Sequence, residues 1–215
     1  MFNRFSALVV AAATMAFTGS GYAAQGLYAE LSNGAETTTI NPTLTNGTTP
    51  RPASFGSANF LINDAQTSMT FTATIFNIDF TGSQTADTND NLTNAHIHAS
   101  PTVTPTTNGG VVWGFIGSPL NDNNPNDVVV TPFTSGVGGT VSGKWDAPEG
   151  NNTTFAAQLA NVLNGHSYIN FHTNQFGGGE IRGNILVPEP SSAALLGLGT
   201  AAAGLRRRRA AVAAR

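Results

Sequence analysis

The 215-residue chain has no cysteine, so no disulfide can staple it and no thiolate can hold zinc. Charge is scarce as well, with Asp, Glu, Lys and Arg at 10% of residues. Between Ala24 and Val187 the only cations are Arg51, Lys144 and Arg182; set against eleven acidic residues, they leave a net charge of −8. Such a surface repels phosphate backbones and anionic lipid, which argues against nucleic acid as a partner. Nucleophile elbows, phosphate loops and metalloprotease signatures are missing. The Gly177-Gly178-Gly179 run leads into a strand pattern, so it lacks the helix N-terminus that a phosphate cradle needs. Long apolar runs are absent from the middle of the chain and sit at its two ends.

Both ends read as processing segments. Arg4 supplies a positive start, residues 7–17 are uncharged and apolar, and Gly21-Tyr22-Ala23 offers small residues for signal peptidase, so residues 1–23 are expected to leave after Ala23. At the other end Pro188-Glu189-Pro190 precedes an uncharged apolar segment, 191–205, and a basic end, 206–215, that opens with Arg206, Arg207, Arg208 and Arg209. The positive-inside bias holds those arginines on the cytoplasmic side. Fifteen residues rise only about 22 Å as a helix, against a hydrocarbon core of roughly 30 Å. A segment that spans so poorly suits a transient signal better than a permanent anchor. The arrangement resembles the PEP-CTERM sorting signal of Gram-negative bacteria. That resemblance implies transient inner-membrane insertion, cutting near the motif by an exosortase-type enzyme, and release to the outer surface or extracellular matrix.

Residues 24–187 have the length of one ordinary domain, enough to bury a core without disulfides. Short β-branched and aromatic runs alternate with turn-rich gaps, which predicts an antiparallel all-β domain. Strands are expected near 26–31, 57–63, 68–78, 94–99, 111–116, 128–133, 139–146, 167–173 and 180–186. Phe71, Ala73 and Ile75 alternate with Thr70, Thr72 and Thr74, so one face should be buried and the other wet. Residues 154–163 break the pattern: Phe155, Leu159, Val162 and Leu163 recur at helical spacing before Gly165. The predicted fold is an antiparallel β-sandwich of the immunoglobulin or superoxide-dismutase type with one short helix, flanked by apolar N- and C-terminal targeting helices. Long loops are expected at 32–54, 79–93, 100–108 and 118–127, lengths that usually carry function.

All four histidines lie in two short motifs, Ala95-His96-Ile97-His98 and His166-Ser167-Tyr168-Ile169-Asn170-Phe171-His172. Alternate strand residues share a face. His96 and His98 therefore oppose Ile97, Tyr168, Asn170 and His172 oppose Ile169 and Phe171, and Glu180 and Arg182 oppose Ile181. His166, next to Gly165, reads as a turn residue. These stretches, with Gly26-Leu27-Tyr28-Ala29-Glu30-Leu31 and Gly178-Gly179-Glu180-Ile181-Arg182-Gly183-Asn184-Ile185, resemble the CHRD domain, named from chordin. The family commonly has Gly-Pro where Ala99-Ser100-Pro101 stands here, and valine where Phe171 stands. The resemblance implies a β-sandwich in extracellular proteins and no settled activity.

Two readings of the polar face stay open. One is a surface copper or zinc site on His96, His98 and His172, with Glu180 as a further ligand. Copper–zinc superoxide dismutase has a comparable His-x-His strand, but the cysteines of that family are missing here. The other is a structural network in which the histidines meet loop backbones and Tyr168, Asn170, Glu180 and Arg182 knit together, with no cofactor. The Asp122–Asp127 and Asp87–Asn91 clusters lack the central glycine and distal glutamate of an EF-hand loop and read as turns, against calcium. The expectation is therefore an exported protein with a structural or adhesive role and no enzymatic activity. Its partners would be the two processing enzymes and exopolysaccharide or other surface proteins; the alternative is a metal-binding protein or metalloenzyme.

Overall fold

The structure, a computed structural model, describes residues 23–188. Residues 1–22 of the expected signal peptide, Glu189, Pro190, the apolar segment 191–205 and Arg206–Arg209 lie outside the described residues. Among those described, no helix is long and apolar enough to cross a membrane.

Within the described residues nine strands follow one another: β1 (Gln25–Ser32), β2 (Phe55–Ile62), β3 (Met69–Phe76), β4 (Leu92–Ala99), β5 (Val111–Ile116), β6 (Val129–Pro132), β7 (Gly138–Trp145), β8 (Ser167–Thr173) and β9 (Ile181–Asn184). They form one antiparallel sheet in the order β5-β4-β8-β9-β1-β2-β3-β7-β6. The two layers expected of a sandwich are thus two halves of a single sheet that curls over on itself. β9 joins β1 only through Ser32 opposite Arg182 and a bridge between Tyr28 and Leu186. Strands far apart in the order then meet across the core: Phe71 of β3 lies 5.8 Å from Trp113 and 4.9 Å from Phe115 of β5.

Period-two alternation determines which side chains fill that core. Leu27, Ala29 and Leu31, then Met69, Phe71, Ala73 and Ile75, and then Ala95 and Ile97 are all buried, while Thr70 and Thr72 face solvent. Trp113 and Trp145 stack at 5.7 Å, and Phe155 meets Trp145 edge-on at 5.3 Å. Aromatic pairs of this kind contribute about 0.5–1.5 kcal/mol each beyond their buried area. Phe155 begins α1 (Phe155–Leu163), whose N-cap Thr154 accepts a hydrogen bond from the Ala157 amide. Phe155 and Val162 enter the core, and Gly165 takes a positive φ of 73° just past the end. The helix therefore closes one end of the curled sheet.

β8 departs from alternation, because all seven of its residues are buried. Ile169 and Phe171 face the core. Tyr168, Asn170 and His172 face the other way and are covered too, by loops that fold back over the outer surface of β4, β8 and β9. That second cover is what makes the polar face an interior.

Candidate functional site

β4 and β8 pair so that His96 lies opposite Asn170, His98 opposite Tyr168, and Asn94 opposite His172. A one-residue slip of either strand against the other would put these side chains on different faces; this register puts the imidazoles on one. The His96 and His172 ring centres are 4.8 Å apart, those of His96 and His98 5.8 Å, and those of His98 and His172 6.3 Å. One ring nitrogen from each lies within 4.8 Å of one from each of the others. Sequence spacing therefore identified the three residues that converge.

Three loop segments lie over them, and a fourth covers the neighbouring Asn170. His96 Nε2 is 3.1 Å from the Ser118 carbonyl, His98 Nδ1 3.0 Å from that of Gly109, and His172 Nδ1 2.9 Å from that of Gly177. Glu36, from the loop after β1, accepts a hydrogen bond from the Asn170 amide. Gly114 makes the first of these contacts possible. A Cβ there would sit 1.8 Å from the Pro119 carbonyl oxygen, so only glycine lets that loop close over His96. His96 and His172 keep 4% and 6% of their surface. The expected surface site is accordingly a covered one, because loop carbonyls seek the imidazole N–H groups.

Burial dominates the electrostatics. It pushes His96 down to about 4, helped by the charge that His172 would carry and opposed by the Ser118 carbonyl. His98 is also pushed down to about 4, again chiefly by burial, and His172 is lowered for the same reason. All three rings are neutral near pH 7. Burial likewise raises the Glu36 carboxyl, against the pull of Arg182.

The remaining polar-face residues form two separate groups. Tyr168 is sandwiched between the His98 ring, stacked at 4.6 Å, and the Arg182 guanidinium, 3.7 Å from its centre. Arg182 donates to Asn108 Oδ1 at 2.7 Å and to the Thr104 and Thr107 carbonyls at 2.7 and 3.0 Å. Glu180 belongs to neither the histidines nor Arg182, which corrects both expectations about it. It is fully buried and accepts from Arg51 Nη1 at 2.7 Å, from Thr173 Oγ1 at 2.6 Å and from the Ser54 hydroxyl. Its oxygens are thus engaged by a cation and two hydroxyls. No local signal could reveal Arg51 as its partner, since 129 residues separate them.

His166 Nδ1 donates to the Val103 carbonyl, 2.9 Å away, and ties down the turn after β4, outside the cluster. The acidic loops hold their own backbones. Asp122 accepts from the Asp127 and Val128 amides, and Asp87 from those of Thr45 and Asn89. A further buried carboxylate escaped sequence reasoning: Glu149 takes the Trp113 indole N–H at 3.2 Å and the Asn123 and Asn124 amides at 2.8 Å.

Comparison with known proteins bears on both parts of the chain. The family model of the CHRD domain matches residues 27–185, and that of the PEP-CTERM protein-sorting motif matches residues 186–209. The second match implies recognition by an exosortase-type sorting system, with export and targeting to the bacterial cell envelope. No curated protein and no solved structure is significantly similar to the chain. The first match spans well over half of the sequence and coincides with the curled sheet from β1 to β9, so the chain belongs to the CHRD domain family.

Proposed function

We propose that this protein is a non-enzymatic structural or adhesive component of a Gram-negative cell surface or extracellular matrix. The observation that supports this reading is the use made of its polar side chains. Arg182 holds the 104–108 loop, His98 holds Gly109, His96 holds Ser118, His172 holds Gly177, and the Arg51–Glu180 pair clamps the loop before β2 to the start of β9. In an exported chain without cysteine these buried cross-links do what disulfides do elsewhere, holding long loops as a rigid platform. A stiff platform of Thr- and Asn-rich loops suits recognition of matrix polysaccharide or of another surface protein.

The described C-terminus suits sorting. The last backbone pairing is Leu186 with Tyr28, and Leu186, Val187 and Pro188 are exposed. Cutting near Pro188-Glu189-Pro190 would leave every strand contact intact. Signal peptidase acting after Ala23 would likewise stop short of β1.

Fractionation tests the reading. Mass spectrometry of the protein from cells with and without the sorting peptidase should find a mature, tail-shortened form in the washed matrix or on the outer surface, and an unprocessed membrane form in the mutant. Deleting the gene should loosen cell-to-matrix cohesion. A mature form recovered wholly as free solute, with cohesion unchanged by the deletion, would refute a structural role.

A further inference from the structure

We propose that His96, His98 and His172 together bind one first-row transition-metal ion of the imidazole-preferring class, zinc or copper. Proton placement carries the inference. A carbonyl oxygen only accepts, so the ring nitrogen facing it must bear the hydrogen. Ser118, Gly109 and Gly177 therefore fix the N–H on His96 Nε2, His98 Nδ1 and His172 Nδ1. A neutral imidazole has one such hydrogen. Lone pairs are left on His96 Nδ1, His98 Nε2 and His172 Nε2.

Those lone pairs face one another. His96 Nδ1 and His172 Nε2 are 3.2 Å apart with no hydrogen to share, and His98 Nε2 is buried with no hydrogen-bond partner. Unpaired acceptors held this close repel, and an orphaned buried nitrogen is costly. A Lewis acid among the three relieves both. The outer hydrogen bonds already match what metal-binding histidines need, each ring donating its second N–H to a carbonyl that sets tautomer and orientation.

Distances agree with one ion. Two nitrogens bound to tetrahedral zinc at about 2.05 Å stand about 3.4 Å apart, close to the 3.2 Å of His96 and His172. All three donor nitrogens lie within 4.8 Å of one another, so the rings need only draw together toward the roughly 3.4 Å of a tetrahedral pair to share one ion. Glu180 supplies nothing, since Arg51 holds it elsewhere. The donor set is three neutral nitrogens, which suits zinc and copper and discriminates against the oxygen-preferring magnesium and calcium. The nearby Arg182 charge lies beyond the Tyr168 ring from His98 and opposes any cation there, a proton included. Coordination bonds outweigh that opposition for a metal, whereas a proton gains only one hydrogen bond.

The test uses full-length protein purified in mild detergent and stripped with a chelator. Titration with zinc chloride or copper sulfate should show one equivalent per chain and raise the melting temperature by about 5–10 °C at a hundredfold excess over Kd. His96→Ala with His98→Ala should abolish both effects, while His166→Ala, outside the cluster, should keep them. Should the double variant not fold, electron paramagnetic resonance of copper-loaded wild-type protein decides, with coupling to three nitrogens expected. No heat and no thermal shift with either metal, retention of stoichiometric binding in the double variant, or coupling to fewer than three nitrogens would overturn the proposal. Localisation and matrix cohesion are read separately, so failure here leaves the structural role standing.

Discussion

Glu180→Leu removes the acceptor at the centre of a buried ion pair. Arg51 is 7% exposed and Glu180 fully buried, and the pair is joined through both guanidinium Nη atoms. Removing one partner of a buried pair costs about 3–5 kcal/mol, because the other charge stays behind without compensation. For a domain of this length each kcal/mol moves the melting temperature by about 2–4 °C, so Glu180→Leu should melt roughly 6–20 °C below wild type. Arg51→Met should fall in the same range. The double variant should cost less than the sum, since no charge is then stranded. It should not recover fully: Thr173 loses its acceptor, though Ser54 can still donate to the Asn77 carbonyl at 3.0 Å. That residue of cost is about 1–3 kcal/mol. Near-UV circular dichroism of the stacked Trp113–Trp145 pair, followed through thermal and urea unfolding, reads all four proteins. Single variants each costing under about 1 kcal/mol, or costs that simply add in the double, would show that the two side chains do not act as a pair.

Three further outcomes follow from the same geometry. In the presence of chelator, His96 and His98 titrate near 4 when folded and near 6.5 when unfolded. The unfolded chain then binds more protons between those values, so stability is complete above pH 6.5 and falls as pH drops toward 4, by up to about 3 kcal/mol for the first ring; a urea midpoint unchanged between pH 7 and 4.5 would contradict the burial argument. Gly114→Ala should displace the Ser118–Pro119 loop from His96 at a cost of about 1–3 kcal/mol, visible as faster exchange of the His96 ring N–H in NMR, whereas unaltered exchange would mean that the close approach does not matter. Thr154→Ala should cost about 1 kcal/mol by uncapping α1, and a melting temperature equal to wild type would remove the cap from the account.

Much of the fold was legible because its causes are local. Phe71, Ala73 and Ile75 announce a strand with one buried face, and Phe155, Leu159 and Val162 announce a helix, since period and side-chain chemistry act within a few residues. His-x-His needs nothing beyond strand geometry to place two imidazoles on one side. The Pro188-Glu189-Pro190 tail is a linear signal that an enzyme reads as sequence. Cysteine's absence, visible at once, already required that hydrogen bonds and packing hold the loops.

What the chain order could not disclose depends on contacts between distant segments. Nothing near Glu180 points to Arg51, and nothing near His98 points to the Gly109 carbonyl over its ring; both depend on how loops return across the sheet. Whether the sandwich has two sheets or one that curls is decided by the narrow join of β9 to β1, a handful of hydrogen bonds with no period of their own. The same return of the loops turned an outward-facing row of histidines into a buried cluster. Local periodicity specifies which way a side chain points; only tertiary closure specifies what it meets there, because the partners come from elsewhere in the chain.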